Sequence, residues 1–455
     1  MMRVLRQRVW ILLLLPLVAV GQSVPAAEQN AQTAHARLST EDQQKLNDAL
    51  LAAVENDDRR DVQQVLAQGA DPNARDEHGV TALMKSAEGM DATLARLLIS
   101  AGADVNAHDV VGWTALLTTA DDGSPEILRL LLARHADVRI TDANGWNAVI
   151  LAADAHRADL VRILLAAGAD CLVQDKIGIS ALMIAAAGDE PETATALLHA
   201  AEKADKAGDG KRRPRASSSL RLMLDARDHR GWTALHHAAV RGAERTVRLL
   251  LEHGADPNAG NSAGTTPLLL AAESGDPGTI EALLARHADP NARSTNDATP
   301  LIQAADAGNT DAVQLLLGHG ADPNAANSTG TIPLLLAAES GDPGTVDVLL
   351  VHHADANTPS SNGTTPLIQA TDAGNTIAVQ LLLEHGANAN ARTRDGRTAL
   401  MEAAAGGRAA IVQMLLEKGA DPNARMADGS TVLSRASAQP QNEQVIELLK
   451  KAGAR

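Results

Sequence analysis

Seven carboxylates, six histidines and three tryptophans recur in register along this 455-residue chain, and each set could carry chemistry. Glu88, Asp121, Asp154, Glu273, Asp306, Glu339 and Asp372 fall late in a recurring alanine-rich helix, with Ala187, Val240 and Ala405 interrupting the column. Such a row would attract a basic protein, and it also fits ordinary solvated positions. At about 10 Å apart in water, neighbouring carboxylates repel by only about 0.4 kcal/mol, so the row needs no ligand to survive. His253, His319, His352 and His385 recur near the end of a second helix, with His287 and His353 one column over. Imidazoles suggest metal, but zinc needs its ligands about 2 Å from one centre, whereas equivalent positions on packed helices lie about 10 Å apart. No metal site is expected, and the histidines suit helix C-termini. Trp113, Trp146 and Trp232 each follow a recurring glycine, with Ile179 between the second and third. Aromatic residues there serve as binding anchors or as packing for the turn.

Other reactive groups are sparse. The single cysteine, Cys171, has no disulfide partner within the chain and reads as a small apolar turn residue. No phosphate-binding glycine loop, paired zinc motif or nucleophile elbow is present, so no catalytic residue and no cofactor are assigned. With no Phe or Tyr and a net charge of −16, the chain lacks the stacking platforms and the positive field that nucleic acid requires.

The elements that would position these residues repeat every thirty-three positions. A glycine column runs through Gly79, Gly112, Gly145, Gly178, Gly231, Gly264, Gly330, Gly363, Gly396 and Gly429, with Asp297 replacing it once and twenty extra residues between Gly178 and Gly231. In the unit starting at Gly264, Thr266 can cap a helix and Pro267 suits its first turn. Leu268 to Ser274 then form a short apolar helix stopped near Gly275, and a second helix from Pro277 to Arg286 places Ile280, Leu283 and Leu284 on one face. Residues 288–292 form an extended turn into the next hairpin. A unit this small cannot bury its own apolar face, so copies must stack into an all-α repeat solenoid of helix-turn-helix units joined by short β-hairpin loops.

Gly254 to Ala259, then Thr266, Pro267 and Leu268, closely resemble the loop and the helix-opening signature of the ankyrin repeat family. Thr233, Ala234, Leu235 and His236 come nearest to its full four-residue form; most other copies put Leu, Met or Ile at the histidine position and lose its hydrogen bond. The resemblance covers residues 40–455. It implies that the first helices, and the seven carboxylates with them, line a concave face, and that the molecule binds protein.

The expected organisation is a signal peptide at 1–26, a disordered linker at 27–39, a capping repeat at 40–78 and a first block of repeats at 79–200. A basic mobile insertion at 201–225 then splits the array, followed by a second block at 226–428 and a C-terminal capping repeat at 429–455. Arg3, Arg6 and Arg8 precede an apolar run, Val9 to Val20, too short to span a bilayer, so cleavage near Ala26 and export to the periplasm or medium are expected. Losing those three arginines would take the charge from −16 to −19 and leave no membrane-inserting segment. Thr40 with Gln43 suggests a capping box, and Gln444 to Lys451 a charged last helix. The insertion carries Lys211, Arg212, Arg213 and Arg215. A two-repeat block is duplicated: residues 267–279 match 333–345, and 300–304 match 366–370.

The functional expectation is a monomeric, non-enzymatic exported module that captures a basic protein on its acidic concave face. Candidate contacts are the seven carboxylates and Trp113, Trp146 and Trp232. An inhibitor or immunity protein against a basic toxin or enzyme is one alternative; a structural spacer or assembly scaffold is another.

Overall fold

The structure, a computed structural model, describes residues 39–207, 218–438 and 441–455. Its 25 described helices form twelve helix-turn-helix pairs and one extra helix, stacked in sequence order. The expected signal peptide lies outside the described residues, as does the linker up to residue 38.

One pair shows why these sequences fold this way. Thr266 is extended and its Oγ1 accepts the Leu269 N–H, capping α14 (Pro267–Ser274). Pro267 takes the first position, where no N–H is needed, and Gly275 ends the helix at φ +77°. Asp276 then accepts from Thr279 N–H and caps α15 (Pro277–Ala285), one residue shorter than the sequence suggests. Leu268, Leu269, Ala271 and Ala272 are buried on the first helix, and Ile280, Leu283 and Leu284 on the second. A fully buried leucine contributes about 1.5–3 kcal/mol, and repetition of this set makes one apolar core from Leu50 to Leu449 without a Phe or Tyr.

The alanine pairs let first helices approach one another more closely than second helices do, which makes their row the inner, concave side. Isolated antiparallel bridges such as Arg75 with Thr81 and Thr141 with Asn147 clamp the hairpin arms. The tips also bond to one another: Ala143 N–H donates to Val111 O at 3.0 Å, and Lys176 N–H to Asn144 O at 3.0 Å.

A second ladder joins the loops. Asn258 Nδ2 donates to His287 O at 2.9 Å while its Oδ1 accepts from Asp289 N–H at 2.7 Å. Asn291, Asn324, Asn357 and Asn390 repeat this two-ended bridge to the next unit. Arg139, Leu172 and Asp225 occupy the same position near the insertion.

The insertion is narrower than the sequence suggests and does not divide the stack. Helix α10 (Pro191–Ala207) continues about two turns beyond its neighbours, and α11 (Ser219–Asp225) packs back on it. Residues 201–207 and 219–225 are therefore helical rather than loop. Asp205 accepts from the Ser219 and Leu220 N–H groups, tying the two helices together. The inner helix α9 (Ala181–Ala187) stacks directly on α12 (Ala234–Ala239), and His229 N–H reaches Ile177 O at 3.0 Å across the sequence gap. The four basic residues at 211, 212, 213 and 215 lie outside the described residues.

At the N-terminus the helix α1 (Thr40–Glu55) is capped one residue earlier than expected: Ser39 accepts from Asp42 N–H, and Thr40 is already helical. The last helix, α25 (Glu443–Lys451), agrees with the sequence to within a residue.

Candidate functional site

The seven carboxylates stand where their column predicts, in the last turn of seven first helices. Glu88 ends α3 (Ala82–Glu88), Asp121 lies in α5 (Ala115–Asp122), Asp154 ends α7 (Ala148–Asp154) and Glu273 lies in α14. Asp306 ends α16 (Pro300–Asp306), and Glu339 and Asp372 lie in α18 (Pro333–Ser340) and α20 (Pro366–Ala373). Asp121 is half-buried and the other six are exposed. A carboxylate in this position opposes the helix dipole, at a cost of about 0.3–1 kcal/mol each. Helix stability therefore does not account for the column. Asn309 and Asn375 offset part of that cost by donating to the backbone carbonyls of Glu273 and Glu339, and Arg408 does the same at Asp372 O, 2.7 Å away. The inner face is not uniformly negative: Lys85 Nζ sits 2.6 Å from Glu55 and 3.1 Å from Asp76.

The tryptophans lie apart from the carboxylates, at the base of the hairpins. Each is half-buried against the core. Trp146 Nε1–H donates to Asp175 of the next hairpin at 3.0 Å. Trp232 stacks on His236 with centroids 6.2 Å apart and carries the Arg230 guanidinium 4.5 Å from its ring centre. Their backbones are held by the turn: Asp109 Oδ1 accepts from the N–H groups of Val111 and Trp113. Asn261 does the same for Ala263 and Thr265, so the change from Asp to Asn between blocks preserves one turn design.

Sequence reasoning overlooked the hairpin tips of the first block. Val110 is 69% exposed, Val111 47% and Ile177 57%, where other repeats carry polar residues or alanine. The available signal was an apolar residue in a turn position.

Seven of the histidines fall into three kinds, and His352 caps its helix end through its backbone N–H. His253, His319 and His385 donate Nδ1–H to the carbonyl four residues back, at 2.9, 2.9 and 3.0 Å, and so satisfy a helix end. His135, His287 and His353 hold φ of 63°, 63° and 67°, the left-handed position that most other repeats fill with glycine. His236 is fully buried; its Nδ1 accepts from Thr233 N–H at 3.2 Å, and its Nε2–H donates to Thr265 O in the next repeat at 3.0 Å. Burial above all pushes its pKa down to about 4. Cys171 is half-buried, and burial, reinforced by Asp170, raises its thiol to about 11, which keeps it protonated and unreactive.

One more carboxylate escaped the sequence reading. Glu402, 6% exposed on the inner face, pairs with Arg435 at 3.2 Å and Arg397 at 3.5 Å, which locks the last repeat to its neighbour. No described helix is long and apolar enough to cross a membrane.

The family model described as ankyrin repeats (3 copies) matches residues 50–142, 117–207, 215–294, 268–360 and 334–426, overlapping windows that span the insertion on both sides. Ankyrin repeats are generally protein–protein interaction modules. The stacked pairs, the glycine-ended hairpins and these matches together place the chain in the ankyrin repeat family.

Proposed function

We propose that this protein is an exported, non-enzymatic binding module that captures a basic protein on its inner face, with the seven carboxylates as the electrostatic contact and Trp113, Trp146 and Trp232 flanking it. The observation that carries this reading is the carboxylate column itself: it recurs at the dipole-opposed ends of seven helices, where it costs stability. Asp154, Glu273, Asp306, Glu339 and Asp372 make no ion pair among the described residues, so their charge is available to a partner. The net charge of −16 adds a long-range attraction for a cationic surface. Export rests on the N-terminal residues alone, and the mass of the protein recovered from the exported fraction tests cleavage near Ala26.

The binding test is a pull-down from the exported fraction at low and high salt, followed by titration of the recovered partner. A basic partner released as the Debye length falls from about 10 Å to about 3 Å, and bound at least about tenfold more weakly after Asp121→Lys, Asp154→Lys, Glu273→Lys and Asp306→Lys together, is the expected result. Unchanged affinity in that variant overturns the reading. A single toxic or enzymatic partner whose activity is blocked would specify an inhibitor; several partners would specify a scaffold.

A further inference from the structure

The outer face carries the opposite charge in one place. A groove of about 550 Å³ runs across three successive second helices, α8 (Ala158–Ala166), α10 and α13 (Glu244–Glu252), beside the insertion. Two sequence changes build it. Ala196 stands in its floor where the neighbouring repeats carry Ile163 and Leu249, so the outer surface dips by most of a side chain. The extension of α10 then adds Lys203 to a rim that already holds Arg162, His199 and Arg245. Arg245 pairs with Glu192 at 3.3 Å across the groove, both ends exposed. Arg162 and Lys203 are exposed and have no ion pair among the described residues.

The rim is cationic while the protein as a whole is strongly acidic, and the floor, with Leu165, Pro191 and Ala200, is apolar. The corresponding outer positions of the second block carry Glu281, Gln314, Asp347, Gln380 and Gln413 where the first block has Arg96, Arg129, Arg162 and, just past the insertion, Arg248. At this helix position arginine is thus confined to the side of the array that holds the groove. We propose that this groove is a second binding site, taking an acidic amphipathic peptide segment of a partner protein, its apolar side chains on Ala196 and Leu165 and its carboxylates on Arg162 and Lys203. An open trough three helices wide suits an elongated segment better than a compact solute, and arginine and lysine at its edges select carboxylates over ammonium groups. The site is independent of the inner carboxylates in both face and charge.

The test uses the full chain and a fluorescein-labelled helical peptide with leucines on one face and glutamates on the other, followed by anisotropy at moderate salt. Saturable binding is expected, weakened about tenfold by Arg162→Glu with Lys203→Glu. Filling the floor with Ala196→Leu should weaken it similarly, and the fourfold reversal of inner carboxylates should leave it intact. The same peptide with lysine for glutamate should not displace the probe. Absence of saturable binding, or unchanged affinity in the double charge variant while circular dichroism shows it folded, overturns the proposal. So does displacement by phosphatidylglycerol vesicles that themselves bind through Arg162 and Lys203, which would make the groove a membrane contact. Sedimentation showing that the charge variant abolishes self-association would instead assign the groove to a second copy.

Discussion

His287 and His353 are expected to cost stability, because a side chain with φ near +65° is strained by about 1 kcal/mol relative to glycine. Repeats that carry glycine there, such as Gly254 and Gly320, leave open space around the position, so nothing compensates for the strain. His287→Gly and His353→Gly should each raise stability by about 1 kcal/mol in urea unfolding. His236 makes a different prediction. The unfolded chain takes up a proton near pH 6.5, whereas the folded one, with its pKa lowered to about 4 chiefly by burial, does not. Its contribution is complete above pH 6.5 and is lost as pH falls toward 4, by up to about 3 kcal/mol. His237, also lowered by burial, acts in the same direction despite Asp228 at 3.1 Å. Melting curves between pH 7 and 4 should therefore show a slope that His236→Leu largely flattens, since Leu117 and Leu269 fill the same position elsewhere.

At the scale of elements, helix ends were legible because each is written in residues with one physical duty: Thr or Ser to cap, Pro to begin, Gly to leave. Thr266, Pro267 and Gly275 fixed α14 to within a residue. What the sequence concealed were contacts between units. Asn258 reads as a turn residue, and only the stack shows that both ends of its amide are used on the next repeat. The helices flanking the insertion were hidden in a polar and basic stretch. The duplicated block shows most sharply why pattern alone falls short. Thr345 Oγ1 bonds Asp342 at 2.6 Å and Thr310 at 2.8 Å, yet its copy Thr279 is buried with its hydroxyl unpaired although Asp276 is retained beside it, and Glu244 stands where Thr310 would be. Thr279→Val should therefore be neutral or stabilise by about 1 kcal/mol, whereas Thr345→Val should destabilise by about 1–2 kcal/mol in the same assay. Equal effects would mean that the neighbouring unit does not decide the matter.

For the whole molecule, a stack held mainly by nearest-neighbour contacts need not unfold as one unit. Three successive units, at Arg139, Leu172 and Asp225, lack the asparagine bridge that joins the later ones. Native-state hydrogen exchange should find the lowest sub-global opening energy in α8 to α11 and the highest between α16 and α21 (Thr376–Glu384). Removing a bridge in the stable half, as in Asn324→Ala, should cost about 1–2 kcal/mol and move that minimum toward the altered junction.

The bridge also bears on how such a chain changes length. Each asparagine presents a donor and an acceptor forward, and each unit offers the matching carbonyl and N–H backward, so any copied unit arrives with both halves of its joint. Residues 333–370 could thus enter the gene as a repeat of 267–304 without any compensating change at their borders. Between Arg139 and Asp225 that interchangeability is gone. Growth by duplication has an open end in the second block and a closed one at the insertion, and relatives of this chain should differ in repeat number on the C-terminal side of α12.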